Sequence, residues 1–164
     1  MNACEIDVAD ADAMEALGAA MARQIATGLV IYLVGDLGAG KTTLVRGFLR
    51  GCGYSGRVRS PTYTLIEPYD IALDAPVQTL YHLDLYRLGD PEELEWIGIR
   101  DLMTGTELLL VEWPEQGQGA LPPADLVIAI DYRDTGRQLD LRATSERGRR
   151  WLAAMPDRRR SGVG

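Results

Sequence analysis

Residues 35–42 combine the residue types that bind a chain of phosphates. Their sequence, GDLGAGKT, fits the pattern G-x-x-x-x-G-K-[ST] at every fixed position. Glycines let the backbone turn so that several N–H groups point inward, and they leave room for a phosphate. Lys41 supplies a mobile positive charge for the outer phosphates, and Thr42 offers a hydroxyl to Mg²⁺. This loop therefore predicts a nucleotide site.

Composition draws attention to Lys41 again. It is the only lysine in the chain, because the other sixteen basic residues are arginine. A compact ammonium on a flexible stem is not equivalent to a planar guanidinium at a crowded phosphate. The bias toward arginine has not replaced lysine at this position, which favours a specific role for it.

The segments on both sides of the loop have the character that such a site requires. The six residues 29–34, LVIYLV, are all apolar and predict a strand buried on both faces. Apolar residues at helical spacing follow the loop, at Leu44, Val45, Phe48 and Leu49. The amino end of that helix adds partial positive charge beside the phosphates. Because a strand precedes the glycine loop and a helix follows it, a chance match to the pattern is a poor explanation.

A phosphate loop with Mg²⁺ needs a carboxylate at the end of a neighbouring apolar strand. Glu112 ends the predicted buried strand ELLLVE, although Asp is the usual residue there. We expect Glu112 to hold the metal through water, to orient the attacking water, or both; an ordinary carboxylate at a strand end is the alternative. Trp113 follows it and either stacks on a base or belongs to the core.

Other polar residues fall beside the predicted site. In YHLDLYR, alternation puts His82, Asp84 and Tyr86 on one face, and Asp84 either senses the γ-phosphate or faces solvent. His82, the only histidine, cannot build a metal site alone, and the sequence assigns it no catalytic role. The hydroxyls of Ser60 and Thr62 resemble a switch segment. Three arginines are candidates for stabilising the γ-phosphate in cis: Arg57, Arg59 and Arg87.

Length and composition are those of one globular domain. The chain has 164 residues, of which 46% are hydrophobic and 25% charged, and no apolar run approaches the roughly 20 residues needed to cross a membrane. The acidic amino terminus has no signal-peptide core, and Cys4 and Cys52 fit neither a disulfide scaffold nor a metal site. We therefore expect reduced thiols in a cytoplasmic protein with no membrane partner.

Charge is unevenly distributed along the chain. The net charge is −7, yet residues 142–160 hold seven arginines against two acidic residues. An acidic body is a poor general nucleic-acid binder. The basic end either contacts RNA or an acidic partner, or is a solvated helix with a frayed end.

The order of the predicted elements gives a mixed sheet. A helix over 11–26, capped by Asp10 or Asp12, turns Met14, Leu17, Met21 and Ile25 to one side. Strands over 62–66 and 78–85 are joined closely and should pair antiparallel. The fold class is thus α/β, a single P-loop NTPase domain with a mixed, mostly parallel central sheet flanked by helices and an antiparallel hairpin.

Later segments complete this fold. A helix begins at Asp90, breaks at Gly98, and turns Leu94, Ile97 and Leu102 inward. Strands over 126–130 and 137–144 flank a hairpin turn at 133–136, and a short helix carrying Trp151, Leu152 and Met155 closes the domain.

Five blocks in this order resemble the TsaE (YjeE) family of bacterial P-loop ATPases. They are GDLGAGKTT, SPTYTL, YHLDLYRL, DPEELEWIGIRD and LLVEWPEQG, and the likeness covers about residues 8–145. The resemblance implies an ATPase needed for threonylcarbamoyladenosine formation beside the anticodon of tRNA. It also implies that the protein acts on a complex of TsaD with TsaB and meets tRNA only indirectly. The basic extension over 146–164 lies outside this family core but within the single domain of residues 1–164.

The resemblance also implies roles for individual residues, with ATP and Mg²⁺ as cofactors. The residues that would bind Mg²⁺ are Thr42 and Glu112. Catalysis would depend on Lys41, Glu112 and Asp84. The residues near the nucleotide would include Ser60, Trp113 and Arg133. The phosphates would be held by Gly38, Ala39, Gly40, Lys41, Thr42 and Thr43.

Two other functions fit the same loop. A small-molecule kinase would need an acceptor pocket and a base, for which Asp84 is available. A nucleotide-dependent scaffold would need binding without turnover. The compact chain favours the ATPase and the scaffold, because no separate acceptor domain is visible in the sequence.

Overall fold

The structure is a computed structural model that describes residues 2–61 and 63–156. It contains seven strands, four α-helices and one short 3₁₀ helix within those ranges. The strands are β1 (Ala3–Val8), β2 (Leu29–Val34), β3 (Ile66–Asp70), β4 (Thr79–Asp84), β5 (Glu107–Glu112), β6 (Leu126–Arg133) and β7 (Gly136–Ala143). The helices are α1 (Ala11–Ala22), α2 (Lys41–Gly51), α3 (Glu92–Ile97) and α4 (Glu146–Ala154), and the 3₁₀ helix is Pro114–Gly117.

The seven strands form one sheet in the order β1-β7-β6-β2-β5-β4-β3. The four central strands β6, β2, β5 and β4 are mutually parallel, and antiparallel pairs close both sides. The wholly apolar β2 and the ELLLVE strand β5 lie side by side in the middle, where helices cover both faces. The predicted α/β class and mixed sheet are therefore confirmed, and the carboxyl ends of four strands meet at one edge.

Helices α1 and α2 pack together on one face of the sheet. Asp10 caps α1 by accepting a hydrogen bond from the Ala13 amide at 2.8 Å, as the sequence predicts. The four residues predicted to face inward are all buried, although the helix ends at Ala22 and Ile25 lies beyond it. The two helices approach so closely that a Cβ added at Gly47 would lie 2.0 Å from the Glu15 carbonyl oxygen. This contact fixes α2, whose first residue is Lys41.

The other face of the sheet carries a smaller core beneath α3. Leu94 is buried there and α3 ends at Gly98, whose φ of 77° is left-handed, so the predicted break is confirmed. The prediction that Ile97 points inward is wrong, because 38% of it is exposed. The turn at Gly98 redirects the chain, and Ile99 fills the buried position instead.

Two strands differ from the sequence predictions. The pattern indicated no strand before α1, yet β1 pairs antiparallel with β7 along its whole length. The strand predicted over 62–66 begins only at Ile66, because Leu65 has a φ of 66° and its amide closes a turn onto the Pro61 carbonyl at 2.8 Å. Pro68 is tolerated in β3 because this is an edge strand.

The carboxyl-terminal helix α4 packs on the body of the protein. Trp151 and Leu152 are buried, and the Trp151 indole donates to the Met21 carbonyl at 3.3 Å. The prediction of a short closing helix is confirmed, but its inner face is not solvated. The predicted frayed end falls on 157–164, outside the described residues. Across the described ranges, no helix has both the length and the apolar character needed to cross a membrane.

Candidate active site

The glycine loop connects the end of β2 to the start of α2, at the carboxyl edge of the parallel strands. Gly38 and Gly40 have φ values of 80° and 111°, which L-residues with a side chain rarely adopt. Gly40 also packs against Met14, since an added Cβ would lie 3.0 Å from its Cε. The loop conformation therefore requires glycine at the second fixed glycine position of the motif, Gly40, and also at Gly38, a position that the motif leaves open.

Lys41 is held inside the loop and is only 5% exposed. Its ammonium donates to the carbonyl of Gly35 and, at 3.0 Å, to that of Asp36, and it lies 4.2 Å from the ring centroid of Trp113. Burial lowers the pKa of Lys41, and the opposing influence of nearby carboxylates, Glu112 first, raises it. The ammonium is thus poorly hydrated and available to an entering anion.

Glu112 is brought to the loop by strand pairing. Its parallel partner in β2 is Leu33, two residues before Gly35, and this places the end of β5 beside α2. The Thr42 hydroxyl donates to both carboxylate oxygens, at 3.1 and 3.2 Å, and His82 Nε2 lies 2.6 Å from Oε2. Glu112 is 3% exposed. The structure therefore joins the two residues predicted to serve the metal.

Asp84 is the register partner of Glu112 in the neighbouring strand β4. Burial raises the pKa of Asp84 and the negative charge of Glu112 adds to this, while the Tyr86 amide, donating at 3.1 Å, lowers it. The side chain is half-buried and lines the cavity rather than a solvated sheet surface. Its place beside Glu112 suits a group that orients water or handles a proton.

Trp113 turns the chain sharply at the end of β5. Its φ of 57° is left-handed, an unusual conformation for a bulky residue. Its ring packs against the smaller core, contacts Lys41, and lies 5.0 Å from the Tyr86 ring. Trp113 therefore packs in the core, one of the two alternatives that the sequence left open, and it also lines the cavity; stacking on a base stays a prediction.

These residues surround an open cavity of about 400 Å³. The same loop borders a second cavity of about 150 Å³, on the side of α1 and the β6–β7 turn. Residues 38–40 and Thr43 line both cavities. Of the predicted site residues, the main cavity brings together Gly38, Ala39, Gly40, Lys41, Thr42, Thr43, Asp84, Glu112 and Trp113.

The structure does not bring Ser60 or Arg133 into this cavity. Ser60 lies in the exposed loop before β3. Arg133 ends β6, and its guanidinium donates at 2.8 Å to Gln138 of the adjacent strand, so that it lines a separate surface depression. Hairpin pairing thus turns this side chain away from the loop. Thr62 lies outside the described residues.

Among the three candidate arginines, Arg87 lines the main cavity, and its guanidinium lies 5.0 Å from the centroid of the Tyr63 ring. The backbone of Arg57 accepts from the Tyr54 hydroxyl, and the amide of Arg59 donates to Tyr69. Neither Arg57 nor Arg59 lines the cavity. Arg87 is therefore the candidate that the fold places at the site.

Two residues of the β6–β7 hairpin, Tyr132 and Arg137, hydrogen-bond to the glycine loop, and no sequence pattern predicts these contacts. Arg137 Nε donates to the Ala39 carbonyl at 3.1 Å, and its guanidinium lies 4.1 Å from the Tyr132 ring centroid. The Tyr132 hydroxyl donates to the Leu37 carbonyl at 3.0 Å. These contacts join positions about a hundred residues apart, so that only tertiary packing reveals them.

Comparison with known proteins identifies the family. Residues 8–139 match the family described as "Threonylcarbamoyl adenosine biosynthesis protein TsaE". A protein of Haemophilus influenzae named "tRNA threonylcarbamoyladenosine biosynthesis protein TsaE" is 52% identical over 126 residues, 77% of each chain. A protein of Bacillus subtilis with the same name is 40% identical over 121 residues, 73% of each chain.

A solved structure agrees with this assignment. The "Crystal structure of Bacillus subtilus YdiB" superposes with a TM-score of 0.76 at 28% identity, over 93% of each chain. With the matched residues covering most of the chain, the conclusion is direct: the chain belongs to the TsaE family of threonylcarbamoyladenosine biosynthesis proteins.

Proposed function

We propose that this protein binds and hydrolyses Mg-ATP in support of tRNA threonylcarbamoyladenosine formation. The observation that carries the proposal is the contact of the Thr42 hydroxyl with Glu112 at 3.1 Å, beside the buried Lys41 ammonium. A phosphate site with a divalent cation requires a hydroxyl from the loop and a carboxylate from a neighbouring strand, and here these are Thr42 and Glu112 of β5.

The donor chemistry fits Mg²⁺. This ion prefers oxygen ligands and is usually held by one or two carboxylates together with substrate phosphates and water. Thr42, Glu112 and Asp84 offer hydroxyl and carboxylate oxygens around one cavity. Within the part of the chain that the structure describes, no group of three or more His, Cys, Asp or Glu forms a cage of its own. Thr42 and Glu112 would hold the cation, which neutralises phosphate charge when bound.

The protein's own groups have distinct tasks in this proposal. Lys41 exchanges its carbonyl partners for phosphate oxygens, and the Thr42 hydroxyl donates a hydrogen bond to Glu112, so that the lone pairs of its oxygen remain available. Glu112 and Asp84 are acceptors that orient the attacking water toward the γ-phosphate, in line with the bond to the leaving ADP. Arg87 is placed to approach the charge that develops on the transferred group. Trp113 screens Lys41 from solvent.

The second cavity offers a place for the nucleoside. It opens beyond residues 38–40 of the loop, so a triphosphate that crosses the loop can reach from one cavity into the other. Asp10, Thr135 and Arg137 border it with polar groups. Arg137 also supports the loop from this side, and it replaces Arg133 as the arginine nearest the proposed nucleoside.

We propose that the protein acts on the TsaB–TsaD complex and contacts tRNA only through it. The names of the relatives connect the family to this modification, and the acidic body is unsuited to direct tRNA binding. The cytoplasmic location expected from the sequence is part of this proposal. Because an arginine contribution is worth roughly 10³–10⁵ in rate, turnover should be slow unless Arg87 or a partner completes the site.

Measurement of phosphate release with and without purified TsaB–TsaD tests this function. Release that requires Mg²⁺ and rises when the complex is added supports the proposal. Transfer of phosphate to an added metabolite supports the kinase instead. Nucleotide binding without release in either condition supports the scaffold. The Lys41→Met variant is the control for contaminating ATPases.

A further inference from the structure

His82 is a buried polar side chain that the proposed function does not use. It lies on β4, is 0% exposed, and its Nε2 is 2.6 Å from Glu112 Oε2. Its other nitrogen, Nδ1, is buried and has no hydrogen-bond partner in the described part of the chain. A buried imidazole held by a single carboxylate calls for an explanation.

The contacts decide which nitrogen carries the proton. Glu112 already accepts from the Thr42 hydroxyl, so an ionised carboxylate accepts from His82 as well and Nε2 is the donor. A proton on Nδ1 would be buried without an acceptor, which is costly. The contacts therefore assign the donated hydrogen to Nε2, where it is directed at Glu112.

Glu112 needs such a partner more than an aspartate would. The usual carboxylate at this place in a phosphate site is Asp, and glutamate adds one rotatable bond between the backbone and the carboxylate. Thr42 restrains the carboxylate from the side of the loop. His82 restrains it from β4, the strand beside β5. Two donors from different elements, α2 and β4, therefore restrain the extra torsion.

We propose that His82 is a positioning residue that holds Glu112 in the orientation needed to accept the hydrogen bond of the Thr42 hydroxyl. The inference rests on the proposed function, because Thr42 and Glu112 serve Mg²⁺ only if Mg-ATP is the ligand. His82 does not line the main cavity, so it would touch neither the nucleotide nor the cation. It acts through Glu112, as a hydrogen-bond donor behind a metal-site carboxylate.

The test measures how much Mg²⁺ strengthens nucleotide binding. A non-hydrolysable ATP analogue is titrated calorimetrically into the full-length protein, once with EDTA and once with Mg²⁺. The variants are His82→Leu, which removes the donor at similar volume, and His82→Gln, whose amide nitrogen replaces Nε2. His82→Asn, too short to reach Glu112, is a second loss-of-donor variant if His82→Leu does not fold. Leu80→Met, on the same face of β4, is the packing control.

We expect all variants to bind alike in EDTA, because the loop and Lys41 are unchanged. With Mg²⁺, His82→Leu and His82→Asn should lose about 10- to 100-fold of the affinity gain, the usual effect of removing such an outer partner, whereas His82→Gln and Leu80→Met keep it. Circular dichroism verifies folding.

Two results would overturn the inference alone. In the first, the loss-of-donor variants keep the full Mg²⁺ effect. In the second, His82→Gln loses as much as His82→Leu, which would mean that the donated hydrogen bond is irrelevant. A wild-type chain that binds no nucleotide with or without Mg²⁺ would instead refute the proposed function, and this inference with it.

Discussion

Replacing Lys41 by methionine removes the ammonium and keeps an unbranched side chain beneath Trp113. In the structure the ammonium donates to the Gly35 and Asp36 carbonyls and lies 4.2 Å from the Trp113 ring centroid. Methionine can keep the ring contact but neither hydrogen bond. The change therefore isolates the charge from the packing.

The expected magnitude follows from this environment. Two unit charges about 4 Å apart interact by about 4 kcal/mol at the effective dielectric of a protein surface. On moving to a phosphate, Lys41 gives up its carbonyl partners at a net cost of about 1 kcal/mol. The remaining 3 kcal/mol corresponds to roughly a 150-fold loss of ATP affinity.

Calorimetric titration of an ATP analogue in EDTA measures this loss without the contribution of Mg²⁺. Arg46→Met is the matched control, because it removes an exposed cation from the same helix. We expect Arg46→Met to change the affinity by less than about twofold, as for a screened surface charge. Arg46→Met should therefore leave the site intact.

Folding must be preserved for the comparison to hold. Burial lowers the pKa of Lys41, so the charged ammonium is not a source of stability, and Lys41→Met should unfold at or above the wild-type temperature. If Lys41→Met binds within about fivefold of the wild type while folded, the charge argument is refuted. The phosphates would then be held by the loop amides alone.

Three further outcomes are expected. Glu112→Gln should keep nucleotide binding in EDTA and lose turnover by about 100-fold or more, since an amide cannot accept from Thr42, His82 and water as a carboxylate does; phosphate release and binding in EDTA are measured on the same preparation. Gly47→Ala should lower the free energy of unfolding by about 1–3 kcal/mol in urea titrations, because its Cβ would lie 2.0 Å from the Glu15 carbonyl and the helices must separate. Burial raises the pKa of the Cys52 thiol to about 12. The thiol of the unfolded chain therefore ionises first. Wild-type stability relative to Cys52→Ala should be constant below about pH 9 and fall by about 1.4 kcal/mol per pH unit above it, until the folded pKa is reached.

Each of these has a clear opposite result. Normal turnover by Glu112→Gln would mean that Asp84, rather than Glu112, orients the attacking water. An unchanged urea midpoint for Gly47→Ala would mean that α1 and α2 do not approach as closely as described. If the stability of the wild type and of Cys52→Ala changed with pH in the same way, the thiol would ionise as readily in the folded protein as in the unfolded chain.

Much of the site was determined by local sequence. The G-x-x-x-x-G-K-[ST] spacing fixes a loop in which glycine is needed for left-handed φ, and the six apolar residues before it are typical of a central strand. The place of Glu112 followed as well, because parallel strands of similar length end at the same edge of a sheet. These features depend on residues close in the chain or on one general rule of strand packing.

Only the tertiary structure decided what surrounds those residues. His82 meets Glu112 because β4 lies beside β5, and Arg137 reaches the loop because the β6–β7 hairpin folds over it. Arg133, four positions away, bonds to Gln138 instead. The alternation of side chains along a strand predicts on which face of the sheet a side chain lies. It predicts neither which strand is its neighbour nor which rotamer it adopts. Contacts between distant segments depend on strand order, which no local pattern in this sequence encodes.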